Sequence, residues 1–392
     1  MKTEKTNHTS NDPRRQSITA WKPALRATLI ALALLAIYTG IRSTTAQGAR
    51  MILTETFAWS SEPNPIAIED ALTGTWIIET KPGADSVYLT IQHGNNGRHS
   101  HSMSTSDIKQ DAFKGLSPSL MQSNGSPVQF QIVRDAGTMN CEGWFKGGKG
   151  SGTFTFAPNQ NFAGEMAGLG YGKLSNDQLF SMATLDVGLS FIRDLNALGY
   201  DHLSLDNLFA MRIHGAGPQY INEMKAAGYD HMPVDDLVAT RIHGVTPEYI
   251  KEVKALGYES PAIDNLVAMR IHGVSTEFIK SLQEYGYTRP PIDDLVAMRI
   301  HGVKTEFIKE LREMGYNRVD IDDLVAMRIH GVSTEFIKEM KAQGYDRVPV
   351  DQLVACRIHG VTAAFIEKLK ARGLTDLSID KLVELKIHGF DK

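Results

Sequence analysis

Three groups of residues in this chain could do chemistry by type and spacing. His93, His99 and His101 fall close together, and on a strand His99 and His101 would share one face, a spacing able to hold zinc or copper. No cysteine or carboxylate pattern beside them completes a ligand set, so a polar hairpin is expected and the three remain weak metal candidates. Gly143, four residues and Gly148-Lys149 match the spacing of a phosphate-binding loop, yet Gly150 stands where the magnesium-binding Ser or Thr belongs. Residues 151–156 then read as a strand, whereas such a loop needs a helix amino terminus to hold phosphate. A glycine-rich hairpin without nucleotide is the expectation.

The third group is a row. Arg212, Arg241, Arg270, Arg299, Arg328 and Arg357, with Lys386 at the end, stand two places before His214, His243, His272, His301, His330, His359 and His388. Two readings stay open for the arginines. Each pairs with an Asp or Glu of an adjacent unit and fixes register, or together they form a basic stripe for an acidic partner, since guanidinium binds carboxylates in bidentate fashion. The histidines are expected to bond the last carbonyls of a helix and gain from its dipole, with a ligand-facing row of imidazoles as the alternative. Arginines and histidines together form the candidate interaction stripe. No HExxH, GxSxG or complete Walker motif and no Cys-His signature is present, so a chain without enzymatic activity or cofactor is expected.

What positions the row is a repeat. Ile-His-Gly returns every 29 residues from His214 to His388, and an aspartate precedes each histidine by eight places, from Asp206 to Asp380. One unit reads as two helices. Helix A is expected to be capped by Asp235, to bury Leu237, Val238 and Ile242, and to end at Gly244. Helix B starts at Thr246-Pro247-Glu248, buries Tyr249, Ile250 and Val253, and stops at Gly257, with Tyr258 folding back as in a Schellman ending. Helices this short are marginal alone, so stacking must stabilise them.

Differences between copies separate inside from outside. The Ile250 position is Ile in Ile221, Ile279, Ile308, Ile337 and Ile366, as a core site would be, whereas the Leu256 position drifts through Ala227, Tyr285, Met314, Gln343 and Arg372. The last helix A carries Glu384 where earlier copies have Ala210, Ala239 and Ala268, the polar change a terminal cap requires. Two degenerate copies upstream place the start of the array near residue 157, followed by six full units and a terminal helix.

The rest of the chain divides by composition. Residues 1–23 are basic, and an apolar run within 24–42 reads as a membrane anchor or signal sequence, with Thr44-Thr45-Ala46 suited to cleavage. Residues 43–71 form a linker, and 72–156 an antiparallel β domain with strands near 75–79, 87–91, 128–133, 138–145 and 153–156 and a helical turn across 107–116. The fold class is therefore α+β and multidomain, with a signal or anchor helix, a small antiparallel β domain, and an all-α solenoid of two-helix repeats over 157–392. A net charge of -4 and a pI near 6.4 oppose nucleic-acid binding, and two cysteines exclude a disulfide framework while leaving one bridge open. The Ile-His-Gly-Val hairpin between short helices is similar to a helix-hairpin-helix module, but export and acidic charge oppose that function.

Arg134-Asp135-Ala136-Gly137, Cys141-Glu142-Gly143 and units of the form Asp-Leu-Val-Ala-Met-Arg-Ile-His-Gly-Val-Ser-Thr-Glu-Phe-Ile resemble the extracytoplasmic tails of some beta-lactam-sensing antirepressor membrane metallopeptidases. The peptidase itself is absent, so the resemblance implies an envelope location and a role in sensing, not proteolysis. The expected function is a protein-interaction scaffold, single-pass in the cell membrane with its bulk extracytoplasmic, or periplasmic if cleaved after Ala46. Its partner would be another envelope protein or an extracellular polymer; a sensor arm or a cell-wall polymer binder are the alternatives.

Overall fold

The computed structural model describes residues 72–80, 86–95 and 99–390. The basic segment, the candidate anchor at 24–42 and the linker lie outside the described residues. Among the described residues no helix is long and apolar enough to cross a membrane.

A seven-stranded antiparallel sheet comes first, a half-barrel built from β1 (Leu72–Thr80), β2 (Ser86–Asn95), β3 (His99–Lys109), β4 (Phe113–Lys114), β5 (Asn124–Arg134), β6 (Gly137–Lys146) and β7 (Lys149–Pro158). Its order is β3-β2-β1-β7-β6-β5-β4, so the first strand pairs with the last. Alternation sends Trp76, Ile78, Phe130, Phe145, Phe154 and Phe156 to one buried face. Trp76 lies across the neighbouring strands, and its Nε1 donates to the carbonyls of both Glu142 (3.1 Å) and Thr153 (3.0 Å). Gly143 and Gly152 face each other in register beneath the indole, and a side chain on either would run into backbone or ring atoms. The Walker-like stretch is the β6–β7 hairpin, with Gly147 and Gly148 at φ 56° and 83° in its turn and Lys149 paired to Glu79 at 3.1 Å.

Three elements differ from expectation. The helical turn across 107–116 is instead the end of β3, a 3-10 turn at Gln110–Ala112 and β4. β3 offers Ser, Thr and His rather than apolar alternation, which leaves an edge strand without a hydrophobic signature. A short helix, α1 (Pro118–Met121), is capped by Ser117.

The helices follow at Gln160. After α2 (Gln160–Met166), α3 (Asn176–Leu185) and α4 (Leu189–Ala197) come α5 (Leu205–His214), α6 (Pro218–Ala226), α7 (Val234–Ile242), α8 (Pro247–Ala255), α9 (Ile263–Ile271) and α10 (Thr276–Glu284). α11 (Ile292–Ile300), α12 (Thr305–Glu313), α13 (Ile321–Ile329), α14 (Thr334–Ala342), α15 (Val350–His359), α16 (Ala363–Ala371) and α17 (Ile379–Ile387) complete them. Odd members from α5 onward are helix A and even ones helix B. Each helix A packs on the next helix A more closely than helix B packs on helix B. Partly buried alanines, Ala239, Ala268, Ala297 and Ala326, permit that approach.

Helix endings follow the expected chemistry. The Tyr287 N–H bonds the Leu282 carbonyl at 3.0 Å and the Tyr316 N–H that of Leu311 at 2.9 Å, the six-to-one bond of a Schellman motif, with Gly286 and Gly315 at φ 88° and 92°. The helix A start differs. Asp235 is not the cap; Pro233 takes that position with φ -54°, and Asp235 sits inside the first turn, where its charge favours the helix dipole.

The helix A core also needs correction. Leu237 and Thr240 are buried, while Ile242 is 43% exposed and Ile213, Ile300, Ile329, Ile358 and Ile387 are each more than half exposed. At about 100° per residue, Ile242 lies roughly 140° around the axis from Leu237, too far to share its stripe. The core position is three residues after the leucine, filled by Met211, Met269, Met298, Met327, Cys356 and Leu385. Both cysteines are buried and free, with burial pushing the Cys141 thiol up to about 12 and Cys356 to about 11.

Register between units comes from a tyrosine ladder. The hydroxyls of Tyr200, Tyr229, Tyr258, Tyr287, Tyr316 and Tyr345 donate to the carbonyls of Met232, Pro261, Pro290, Val319, Val348 and Leu377, just before the next helix A, at 2.6–2.9 Å. Tyr287→Phe should therefore cost about 1–3 kcal/mol, because it strands the buried Val319 carbonyl. Urea unfolding of the variant checks this, and an unchanged midpoint would show the ladder to be incidental.

Candidate functional site: the helix A edge

The cationic row is assembled from two neighbouring units. Helix A delivers Arg241, Arg270, Arg299, Arg328 or Arg357 from its last turn, and helix B of the preceding unit supplies an aromatic ring from its first turn. Arg241 lies over Tyr220 at 4.8 Å, Arg270 over Tyr249 at 4.9 Å and Arg299 over Phe278 at 5.1 Å. Arg328 lies over Phe307 at 5.3 Å, Arg357 over Phe336 at 5.1 Å and Lys386 over Phe365 at 4.8 Å. All fall within the range of cation–π attraction, worth about 0.5–1 kcal/mol at exposed sites.

This geometry corrects the ion-pair reading of the ladder. Inter-unit contact is real, but its partner is the face of a ring, and the second contact is a backbone oxygen. Arg241 Nε donates to the His214 carbonyl at 3.1 Å and Arg270 Nε to that of His243 at 3.4 Å. Among the described residues no carboxylate lies within ion-pair distance of Arg241, Arg270, Arg299, Arg328 or Arg357. Arg212 is different. Its guanidinium sits 4.2 Å over Phe191 and pairs with Asp186, which also binds Arg134 at 3.2 Å, so Arg212 belongs to the junction with the sheet.

The glycine of Ile-His-Gly serves this contact twice. At Gly244 φ is 68°, the left-handed value that ends helix A, and a Cβ there would lie 3.2 Å from Arg270 Nη2 of the next unit. The crossing guanidinium also takes the helix-end carbonyl that the imidazole was expected to bond. Among the described residues the imidazoles of His243, His272, His301, His330 and His359 make no hydrogen bond to the helix end, and His301, His330 and His359 are exposed. Burial holds the His214 and His243 imidazoles below the usual histidine range, so both are neutral at pH 7.

The units of Arg241, Arg270, Arg299, Arg328 and Arg357 therefore present a ring-stacked guanidinium and an imidazole not bonded to the helix end at the carboxyl end of helix A, beside an isoleucine that is exposed in all of them except the half-buried Ile271. At the other end of the same helices stands an acidic row, in which Asp294 and Asp323 are pushed above the usual carboxylate range by burial first and then by neighbouring aspartates. The structure brings together Arg241 to Arg357 and His243 to His359 with the isoleucines, which reading by type alone placed in the core.

The remaining candidates lie elsewhere. His93 Nδ1 is 2.6 Å from the Thr73 carbonyl and its ring is 5.5 Å from Phe180 of α3, so it serves the sheet–helix contact. Register sets His93 opposite His101 and Asn95 opposite His99. The side chains of His99 and His101 lie outside the described residues, and among the described residues no three His, Cys, Asp or Glu converge where a metal ion could be held.

Phe156, near the end of the last strand where the array begins, pointed to packing of the sheet against the array, but the residues that make the junction were not singled out. Phe180 stacks on Phe154 at 5.5 Å, Asp135 accepts the Leu189 N–H at the start of α4 (2.9 Å), and Asp186 gathers Arg134 and Arg212. The cue available was Arg134-Asp135 in the β5–β6 turn, two charges without a partner nearby in sequence. Comparison with protein-family models and with curated proteins returns no match.

Two outcomes follow. Ile300→Ser should change unfolding free energy by less than about 0.5 kcal/mol, whereas Leu295→Ala, fully buried on the same helix, should cost about 2–5 kcal/mol in the same denaturation assay. In an NMR titration His214 and His243 should show midpoints below 6.5. A depressed histidine pKa means the unfolded chain binds protons first, so their contribution is present above the usual histidine pKa and is lost as pH falls through that value toward the folded one.

Proposed function

We propose that this chain is a non-enzymatic envelope protein, held at the membrane through residues 24–42 with its bulk extracytoplasmic, whose helical array is a scaffold binding another envelope protein along the helix A edge. One observation carries this reading. Isoleucine and histidine stand at the same place in seven units, Ile213-His214 to Ile387-His388, yet the isoleucines contribute to no core. Another outward position, exposed in every copy, reads Ala226, Ala255, Glu284, Glu313, Ala342 and Ala371, so common descent of the units does not by itself keep a surface residue constant.

Arginine and glycine have internal reasons to recur, through ring stacking and backbone geometry. The isoleucine side chain has none, and exposing it costs the solubility that a polar residue would give at no loss of packing. Contact with a partner accounts for its retention.

Photo-cross-linking tests the reading. A benzophenone side chain at Ile300 or Ile329 in the native membrane should give a discrete protein adduct, and the same label at Glu339, on the solvated face of helix B, should not. Equal labelling at all three, or none, removes the helix A edge as the contact surface. Protease added outside intact spheroplasts should digest the array; full protection would overturn the extracytoplasmic placement.

A further inference from the structure

We propose that the occupant of the helix A edge is an extended acidic polypeptide segment in left-handed polyproline conformation, one three-residue turn per repeat unit. This rests on the reading of that edge as the contact surface and adds the chemistry of what lies on it. Arg241, Arg270, Arg299, Arg328 and Arg357 each have one guanidinium face against an aromatic ring, at 4.8–5.3 Å, which orients the group before any partner arrives. Stacking leaves the Nη edge free, and that edge forms the planar fork that fits a carboxylate.

Among the described residues no carboxylate of the array pairs with Arg241, Arg270, Arg299, Arg328 or Arg357. Asp293, Asp294, Asp322 and Asp323 sit in the first turns of α11 and α13, at the far end of the helices from the arginines. Glu277 and Glu335, at the start of helix B, turn to their own helix ends, where backbone N–H groups and the caps Ser275 and Ser333 hold their carboxyls below the usual range. The imidazoles facing the row are neutral or unpaired and add no negative charge. An acidic partner satisfies donors that no described residue satisfies.

Spacing selects the conformation. Packed helices lie about 8–10 Å apart, and each helix A packs directly on the next. A polyproline helix rises about 3.1 Å per residue and returns to the same face every third residue, a repeat of about 9.3 Å. A β-strand alternates faces every residue, so its third residue points away. The polyproline form, unlike a β-strand, keeps one carboxylate and one apolar ring in step with successive guanidinium groups.

The test uses the full-length chain in nanodiscs and labelled peptides. A peptide of five Glu-Pro-Pro triplets should bind at least about tenfold more tightly than an isomer of the same composition with irregular glutamate spacing. A Lys-Pro-Pro peptide should not bind. Two double variants, Ile300→Ser with Ile329→Ser and Arg299→Gln with Arg328→Gln, should each weaken binding by about tenfold or more. The isoleucine pair should leave the melting temperature unchanged, so its effect cannot be unfolding. Equal binding of the two isomers overturns the proposal, as does absence of peptide binding, or binding to phosphatidylglycerol vesicles in place of peptide. If the peptides fail while a cross-linker at Ile300 still captures a protein, the chemistry proposed here falls and the scaffold stands. If both fail, the scaffold reading falls as well.

Discussion

Nine-residue helices cannot hold themselves together in water, and every other property of this array depends on how one unit satisfies the next. Helix formation has a costly nucleus that two turns do not repay, so burial between units has to supply the difference. Three contacts recur at each seam. Apolar groups such as Leu295, Met298 and Val303 fill the interior, the tyrosine hydroxyl closes on a carbonyl ahead of the next helix A, and a cation lies on the aromatic ring behind it. The first contact is nondirectional and tolerates Met, Cys or Leu. The other two are directional, and they set register.

Directionality explains why polar and charged residues recur more strictly than part of the interior. A guanidinium on a ring, with Nε on a backbone oxygen, accepts one geometry, and the glycine beneath it must lack a side chain in order to admit it. The same arrangement has a consequence for recognition. Because the ring takes one face of the cation and the backbone one N–H, the remaining donors point outward along a line. A seam built for stability thus leaves a regular row of unpaired donors beside a regular row of aliphatic groups.

The two ends of the array are managed differently. At the amino end α3 and α4 rest on the half-barrel sheet through Phe180, Asp135 and the Arg134–Asp186–Arg212 group, so the first units find in the sheet the neighbour that later units find in one another. In the last described unit Glu384 stands where earlier copies have alanine and pairs with Lys381 at 2.8 Å. The sheet itself depends on Trp76 lying over paired glycines, which lets one indole serve three strands.

Much of this was legible in the residues themselves. Period, helix pairing, the Schellman endings at Gly-Tyr, the core site at Ile250, the polar last unit and the glycine-rich hairpin at Gly147-Gly148 all follow from local rules, because caps, turns and periodicity act within a few residues of chain. What failed did so for different reasons. Ile242 was assigned to the core by its type although its angle from Leu237 already turns it away, Asp235 to a cap although Pro233 two residues earlier takes that place, and Arg270 to a carboxylate by its charge although its partner is the ring of Tyr249, 21 residues away. Hydrophobicity states that a residue prefers burial, not that a partner is present to bury it. The rotation of Ile242 away from Leu237 is already fixed by helix geometry, whereas the ring beneath Arg270 and the packing of the sheet on α3 exist only once the units are stacked, so the tertiary structure alone decided which neighbour each of these residues meets.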